Sequence, residues 1–153
     1  MLKVALVGVG GISGAHIPAW EAREDAELVA ICDIRPEQME KYPEKRHYTD
    51  FDEMIKKEKL DILDICLPTY LHTEYSLKAM ENGINVICEK PISLDREDVK
   101  KIYGCAKQNN VKFMVAHVIR FWREYEFVKK VYDTNKYGKL LSGSMSRLSA
   151  FPN

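Results

Sequence analysis

The chain has 153 residues, enough for one domain with a substantial hydrophobic core. Lys and Arg number 23, as do Asp and Glu, and the two signs are interspersed. This even charge pattern argues against nucleic acid or an anionic membrane as a partner. No run of 18 apolar residues is present and glycines interrupt the apolar N-terminus, so we expect neither a membrane span nor a signal peptide. The four cysteines lack metal-ligand spacing, which predicts reduced, buried thiols, no metal site and a cytoplasmic protein.

Apolar runs alternate along the chain with segments that have helical features. We predict strands at 2–8, 26–32, 47–49, 60–66, 84–88 and 111–117, and helices at 12–22, 50–57, 70–82, 95–110 and 123–133. Asp50 and Glu53 have the spacing of a capping box, and Gly83 is placed to end the third helix. Six strands alternating with helices predict an α/β fold with a doubly wound parallel sheet.

The pattern changes after residue 137, where the segment GKLLSGSMSRLSAF is serine-rich and weakly alternating. It predicts a strand that no helix follows, so residues 1–137 and 138–153 are expected to belong to different domains. An unpaired strand edge recruits another strand or frays. We therefore expect this segment to be disordered or, more readily, to pair with its copy in a second chain and form a homo-oligomer.

A glycine-rich turn, VGVGGISG, joins the first predicted strand to the first helix. In a dinucleotide site of the form G-x-G-x-x-G, the first glycine makes a tight turn and the second lets the backbone approach the pyrophosphate. Gly8 and Gly10 fill these positions, and Gly11 keeps the turn permissive. Ser13 stands where the third glycine is expected, so the match is imperfect. A tight turn without a ligand is the alternative.

An acidic residue, Asp33, ends the second predicted strand 25 residues after Gly8. A carboxylate there can accept hydrogen bonds from the ribose hydroxyls of an adenosine. It favours NAD, because the 2′-phosphate of NADP would be repelled, but Arg35 could pair with that phosphate and keeps NADP open. An S-adenosylmethionine methyltransferase shares both features, so the later strand ends must separate the two classes.

Polar groups follow the fourth, fifth and sixth predicted strands, in the sequences PTYLH, EKP and HVIRFW. In an open α/β sheet, ligands bind beyond the carboxyl ends of the strands. Beside a positively charged nicotinamide, Lys90 would experience a like charge and partial desolvation, which favour a neutral amine able to exchange a proton with a substrate. A solvated loop is the alternative for Glu89 and Lys90, and helix packing is the alternative for His72.

Four segments in this order resemble the cofactor domain of the Gfo/Idh/MocA oxidoreductases, the family of glucose-fructose oxidoreductase and inositol dehydrogenase. They are ALVGVGGISGAHIPAW, AICDIRPE, DICLPTYLHTEYSLKAMENGINVICEKPIS and VAHVIRFWREY. The glycine turn, P-x-x-x-H and Glu-Lys-Pro together are far more specific than any one of them. The resemblance implies a Rossmann-like domain at 1–137 that binds NAD or NADP. It also implies hydride transfer between nicotinamide and a secondary alcohol of a sugar, cyclitol or related polyol, and disfavours the methyltransferase.

The resemblance implies that Lys90 is the catalytic residue and lies, with Glu89, beside the nicotinamide. Together with Gly11 from the turn and Arg35 beside Asp33, the candidate cofactor-binding residues are Gly8, Gly10, Gly11, Ile12, Ser13, Asp33, Arg35, Leu67, Pro68, Thr69, His72, Glu89, Lys90, His117 and Arg120. Family members continue into a second domain with further substrate contacts, so we expect 138–153 to be its truncated first strand and the chain alone to be inactive. The alternative is a non-catalytic NAD-binding sensor, or a module completed by a partner chain.

Overall fold

The computed structural model describes residues 1–146 and 148. The chain divides into two compact units, Met1–Ala116 and His117–Asn153. In the first unit, the strands are β1 (Leu2–Val7), β2 (Ala26–Cys32), β3 (Arg46–Tyr48), β4 (Ile62–Ile65), β5 (Asn85–Cys88) and β6 (Phe113–Val115). Its helices are α1 (Ser13–Glu21), α2 (Phe51–Lys57), α3 (Thr69–Glu81) and α4 (Arg96–Gln108), with a short 3₁₀ helix at Pro36–Gln38.

The six strands form one parallel sheet in the order β3-β2-β1-β4-β5-β6. The chain runs outward from β1 to β3, returns to place β4 beside β1, and then runs outward to β6. The direction of winding therefore reverses between β1 and β4, which is where doubly wound sheets open a crevice for ligands. The predicted α/β class and doubly wound parallel sheet are confirmed.

Apolar side chains cover both faces of the sheet. On one face Ile17 of α1 packs with Leu6 of β1 in a buried cluster. On the other face Met54, Met80 and Ile102, from α2, α3 and α4, belong to a second buried cluster. Burial on both faces explains why the strands read as continuous apolar runs. All four cysteines are free and buried, as the sequence predicted.

The helix boundaries follow local signals. The Asp50 carboxylate accepts a hydrogen bond from the Glu53 N–H at 2.8 Å and caps α2, as predicted. Gly83 has φ of +75° just past the end of α3, the left-handed conformation that glycine adopts most easily. Strand β6 is shorter than the seven residues predicted at 111–117, because only Phe113–Val115 pair with β5.

The second unit contains a 3₁₀ helix at Val118–Phe121 and helix α5 at Arg123–Asp133. Residues 139–146 and 148 form neither helix nor strand, so the strand predicted after residue 137 is absent from the part that the structure describes. Residues 147 and 149–153, which that prediction also covers, lie outside the described residues. The expected domain boundary at 137 and the pairing with a second chain stay predictions. No described helix combines the length and apolar character needed to cross a membrane.

Candidate cofactor site and active site

The first turn brings the backbone after β1 against the end of β4. Gly8 has φ of +91°, and its N–H donates to the Cys32 carbonyl at 2.8 Å. A Cβ at this position would lie 2.7 Å from the Cys66 carbonyl oxygen and 3.1 Å from Cδ2 of Leu67. Glycine is therefore required both by the backbone conformation and by the close approach of the segment after β4.

The rest of the turn faces open space. A Cβ added at Gly10 or Gly11 would meet no described atom within 4 Å. Ser13 is fully buried and its hydroxyl donates to the Gly10 carbonyl at 2.6 Å, so it fills the close-packed third position of the motif, while Ile12 is exposed. An open backbone turn leading into the N-terminus of α1 fits the pyrophosphate of a dinucleotide.

Asp33 connects this turn to the segment after β2. Its Oδ2 accepts a hydrogen bond from the Val9 N–H at 2.8 Å, and its Oδ1 accepts one from the Arg35 N–H at 2.9 Å. Each carboxylate oxygen keeps a further lone pair that can accept a ribose hydroxyl. The Arg35 side chain is exposed, with Nε 3.7 Å from Asp33 Oδ1. The carboxylate is therefore held rigidly beside the turn, as a ribose acceptor should be.

The segment after β4 is fixed by His72. Pro68 precedes α3, which begins at Thr69. The His72 ring is only 1% exposed, and its two nitrogens lie 2.8 Å from the carbonyl oxygens of Leu67 and Pro91. The ring therefore ties two loops together, and the predicted contact of His72 with the cofactor stays a prediction. Both ring nitrogens are occupied by backbone groups.

The Glu-Lys-Pro segment follows β5 directly. The Glu89 N–H donates to the Ile65 carbonyl at 3.0 Å, and Glu89 Oε2 accepts a 3.2 Å hydrogen bond from the Lys90 N–H. Lys90 Nζ lies 3.9 Å from the same oxygen, and the Lys90 side chain is 57% exposed. The described residues thus provide Lys90 with a carboxylate neighbour and leave more than half of its side chain exposed, and its desolvation beside a bound nicotinamide stays a prediction. The Lys90–Pro91 peptide bond is cis.

Sequence reasoning missed a partly buried ionic cluster that includes Glu89, here called the His16 cluster and made of His16, Trp20, Asp64 and Glu89. His16 Nδ1 is 2.8 Å from Asp64 Oδ2, and Nε2 is 3.1 Å from Glu89 Oε1. The Trp20 indole N–H donates to Asp64 Oδ2 at 2.7 Å. An Asp inside the apolar run of β4 was the available signal, because a buried charge needs a partner.

His117 and Arg120 belong to the second unit. His117 immediately precedes the 3₁₀ helix and Arg120 lies within it, where the Arg120 N–H donates to the His117 carbonyl at 3.0 Å, and both residues are exposed. Their predicted approach to the nicotinamide or the sugar stays a prediction.

A doubly wound parallel sheet with a glycine turn at the switch point and an acidic residue after β2 is the arrangement of a Rossmann-type nucleotide-binding domain. Residues 2–117 match the family model described as the oxidoreductase family with an NAD-binding Rossmann fold. The chain therefore belongs to the Gfo/Idh/MocA oxidoreductase family, and it carries the family's NAD-binding domain.

Relatives with assigned activities cover the same part of the fold. The chain is 32% identical over 140 residues to 2,7-anhydro-N-acetylneuraminate hydratase from Mediterraneibacter gnavus, covering 90% of this chain and 37% of the relative. It is 34% identical over 112 residues to D-glucoside 3-dehydrogenase from Escherichia coli, covering 70% and 32%. Scyllo-inositol dehydrogenase from Lactobacillus casei, solved with NAD(H) and scyllo-inositol, superposes with a TM-score of 0.84 at 27% identity, covering 90% and 42%. The chain thus spans between about one third and two fifths of the length of these proteins.

Proposed function

We propose that this chain is the cofactor-binding part of an NAD-dependent dehydrogenase that oxidises a secondary alcohol of a sugar, cyclitol or related polyol. The observation that carries the proposal is the position of Lys90. It follows β5 at the carboxyl edge of the sheet, and the glycine turn follows β1 at the same edge with only β4 between them. Names of relatives such as D-glucoside 3-dehydrogenase support the substrate class.

The chain's own residues bind and orient the cofactor in this proposal. The backbone from Gly8 to Ser13 receives the pyrophosphate, and Asp33 accepts the ribose hydroxyls. When bound, NAD supplies the hydride acceptor at C4 of its nicotinamide ring. His72 contacts the Leu67 and Pro91 carbonyl oxygens and so holds the segment after β4 against the segment after β5. These contacts fix the position of the loop that carries Lys90.

Lys90 moves the proton. Oxidation of an alcohol to a ketone releases a hydride from carbon and a proton from the hydroxyl oxygen. The Lys90 amine accepts that proton at Nζ, and in the reverse direction the ammonium returns it to the carbonyl oxygen. Glu89 anchors the backbone of Lys90 through the 3.2 Å hydrogen bond and places a negative charge 3.9 Å from Nζ.

The experiment is a chimaera in which residues 2–117 replace the matched segment of D-glucoside 3-dehydrogenase. The chimaera should oxidise glucosides with NAD, and Lys90→Met should lower kcat by about 10²- to 10⁴-fold while the NAD Kd stays within about twofold. The 153-residue chain alone should show no useful turnover, because substrate positioning requires further groups.

If this chain were a non-catalytic NAD-binding sensor, a different result would be expected from the chimaera and its Lys90→Met variant. A chimaera that binds NAD but does not turn over, or one whose activity survives Lys90→Met, would contradict the dehydrogenase proposal. Binding of NAD by the chimaera serves as the control for correct folding. Robust turnover by the 153-residue chain, lost on Lys90→Met, would show that this chain already contains a sufficient active site.

A further inference from the structure

The His16 cluster links the helix after the glycine turn to the residue before Lys90. His16 lies in α1, Asp64 in β4, and Glu89 directly after β5. The His16 side chain is only 15% exposed, and the Asp64 side chain is almost completely buried. Three separate elements therefore converge on one imidazole ring, and none of these contacts is required by the binding and proton-transfer steps of the proposed reaction.

Hydrogen-bond chemistry defines the charge of the ring. A carboxylate only accepts hydrogen bonds, and both nitrogens of His16 face carboxylate oxygens, at 2.8 and 3.1 Å. Both nitrogens donate at once only in the imidazolium form. In agreement, the hydrogen bond to Asp64 raises the pKa of His16 against the opposing effect of burial, and Glu89 raises it further. The titratable groups that face the His16 ring are Asp64, Glu89 and the thiol of Cys66.

The cluster is not built as a metal centre. His16, Asp64 and Cys66 have ligand atoms within 4.8 Å of one another, a spacing that could hold an ion. However, the indole N–H of Trp20 points at the Asp64 oxygen nearest to His16 and would oppose a cation there. Burial also raises the pKa of the Cys66 thiol, which disfavours the thiolate in the ion-free protein. The internal hydrogen bonds account for the arrangement without an ion.

Glu89 divides its two oxygens between His16 and Lys90. Oε1 faces the imidazole, while Oε2 accepts from the Lys90 N–H and lies 3.9 Å from Nζ. A free carboxylate in this place would hold a proton on Lys90 by opposite charge. A carboxylate already paired with an imidazolium attracts that proton less, because part of its charge is compensated.

We propose that His16 is a positioning residue for Lys90. The imidazolium is held by Asp64 and pairs with Oε1 of Glu89, which compensates part of the Glu89 charge. Glu89 then orients the Lys90 backbone through Oε2 without holding the side chain in its ammonium form. Lys90 then remains able to exchange a proton. This inference rests on the proposed function only in assigning Lys90 a catalytic role, since the contacts themselves lie within one unit of the chain.

The first test reads the charge of His16 in the native chain. Nitrogen-15 NMR of histidine-labelled protein, assigned with His16→Gln, should show both ring nitrogens protonated at about pH 7. A His16 ring with one unprotonated nitrogen at that pH would overturn the proposal. If that variant does not fold, through-bond correlation from the assigned backbone identifies the His16 ring nitrogens in the native chain, so the measurement needs no folded variant.

The second test reads Lys90 through its rate of acylation by a small amine-reactive ester, followed by peptide mass spectrometry, because only the free amine reacts. In His16→Gln, Glu89 loses its partner and Lys90 should react about threefold more slowly. The matched control is His47→Gln on β3, which removes an exposed ring bonded to the Tyr42 carbonyl and should leave the rate unchanged. An unchanged or faster rate in folded His16→Gln would overturn the proposal.

A double-variant cycle tests whether His16 acts through Glu89. With Glu89→Gln already present, adding His16→Gln should change the Lys90 rate by less than about twofold. If His16→Gln still slows the acylation of Lys90 threefold when Glu89→Gln is present, His16 does not act through Glu89 and the proposal is overturned. All three measurements are made without cofactor or substrate. Failure of the chimaera to turn over would therefore count against the proposed dehydrogenase activity. It would not change the outcome of these three measurements.

Discussion

Gly8 and Gly10 stand two residues apart in one turn but have different roles. At Gly8 the φ of +91° and the Cys66 carbonyl oxygen, which would lie 2.7 Å from an added Cβ, leave no room for a side chain. We predict that Gly8→Ala lowers the free energy of unfolding by about 2 to 4 kcal/mol, from backbone strain and overpacking together. Urea denaturation measures this directly.

Gly10→Ala is the matched comparison for that prediction. No described atom lies within 4 Å of its added methyl, so its stability should change by less than about 1 kcal/mol. Its methyl would instead occupy the open side of the turn and weaken NAD binding by about tenfold or more. Equal destabilisation by the two substitutions would show that Gly10 is as closely packed as Gly8.

Protonation of His16 makes stability depend on pH with a definite sign. The pKa of His16 in the folded chain is raised above its ordinary 6.5, chiefly by the Asp64 hydrogen bond. The stabilisation is therefore complete below about pH 6.5 and is lost as pH rises through the folded pKa. At about pH 6, His16→Gln should cost about 3 kcal/mol, since it leaves buried carboxylates uncompensated.

That cost should shrink as the comparison is repeated at increasing pH, because the native ring loses its proton as pH rises through its raised pKa. His47→Gln is the control, because its ring is exposed and lies on another element. A cost that grows with pH, or one that does not depend on pH, would contradict a charged His16.

Among the secondary-structure elements, α2 offers the cleanest test of a local signal. The Asp50 carboxylate caps α2 through the Glu53 N–H at 2.8 Å. We predict that Asp50→Ala costs about 1 kcal/mol in thermal or urea unfolding, because a helix N–H loses its acceptor. Asp50→Asn retains a side-chain oxygen and should cost only a few tenths. If both variants are equally unstable, the charge of Asp50 matters and its capping geometry does not.

Features with a local cause were predictable from the sequence. The strands β1, β2 and β4 are apolar because both faces of the sheet are covered, and the cap of α2 and the glycine after α3 depend on adjacent residues. The contacts of His72 with the Leu67 and Pro91 carbonyls and the pairing of His16 with Asp64 were not predictable. They join residues that lie 5 to 48 positions apart in the sequence and that only the folded sheet brings together. Likewise, the exposure of Lys90 could not be read from its motif.

At the scale of the whole molecule, the described fold supplies a cofactor-binding domain, and Lys90, the proposed catalytic residue, lies at the carboxyl edge of its sheet. The chain covers 32% of D-glucoside 3-dehydrogenase and 42% of scyllo-inositol dehydrogenase, and its second unit carries exposed aromatic side chains such as Phe121 and Phe127. We therefore propose that substrate selection depends on groups beyond the first unit. We propose that cofactor selection, in contrast, depends on the first unit alone, through Asp33.

Isothermal titration calorimetry of the 153-residue chain with NAD and with NADP tests the central claim most directly. We predict saturable NAD binding at one site and NADP binding about tenfold weaker, since a 2′-phosphate facing the Asp33 carboxylate costs about 1 to 2 kcal/mol. Asp33→Asn should reduce the difference between the NAD and NADP dissociation constants, because it removes the negative charge that repels the 2′-phosphate. Absence of NAD binding by the folded chain, or NADP binding equal to or tighter than that of NAD, would contradict the assignment of this site.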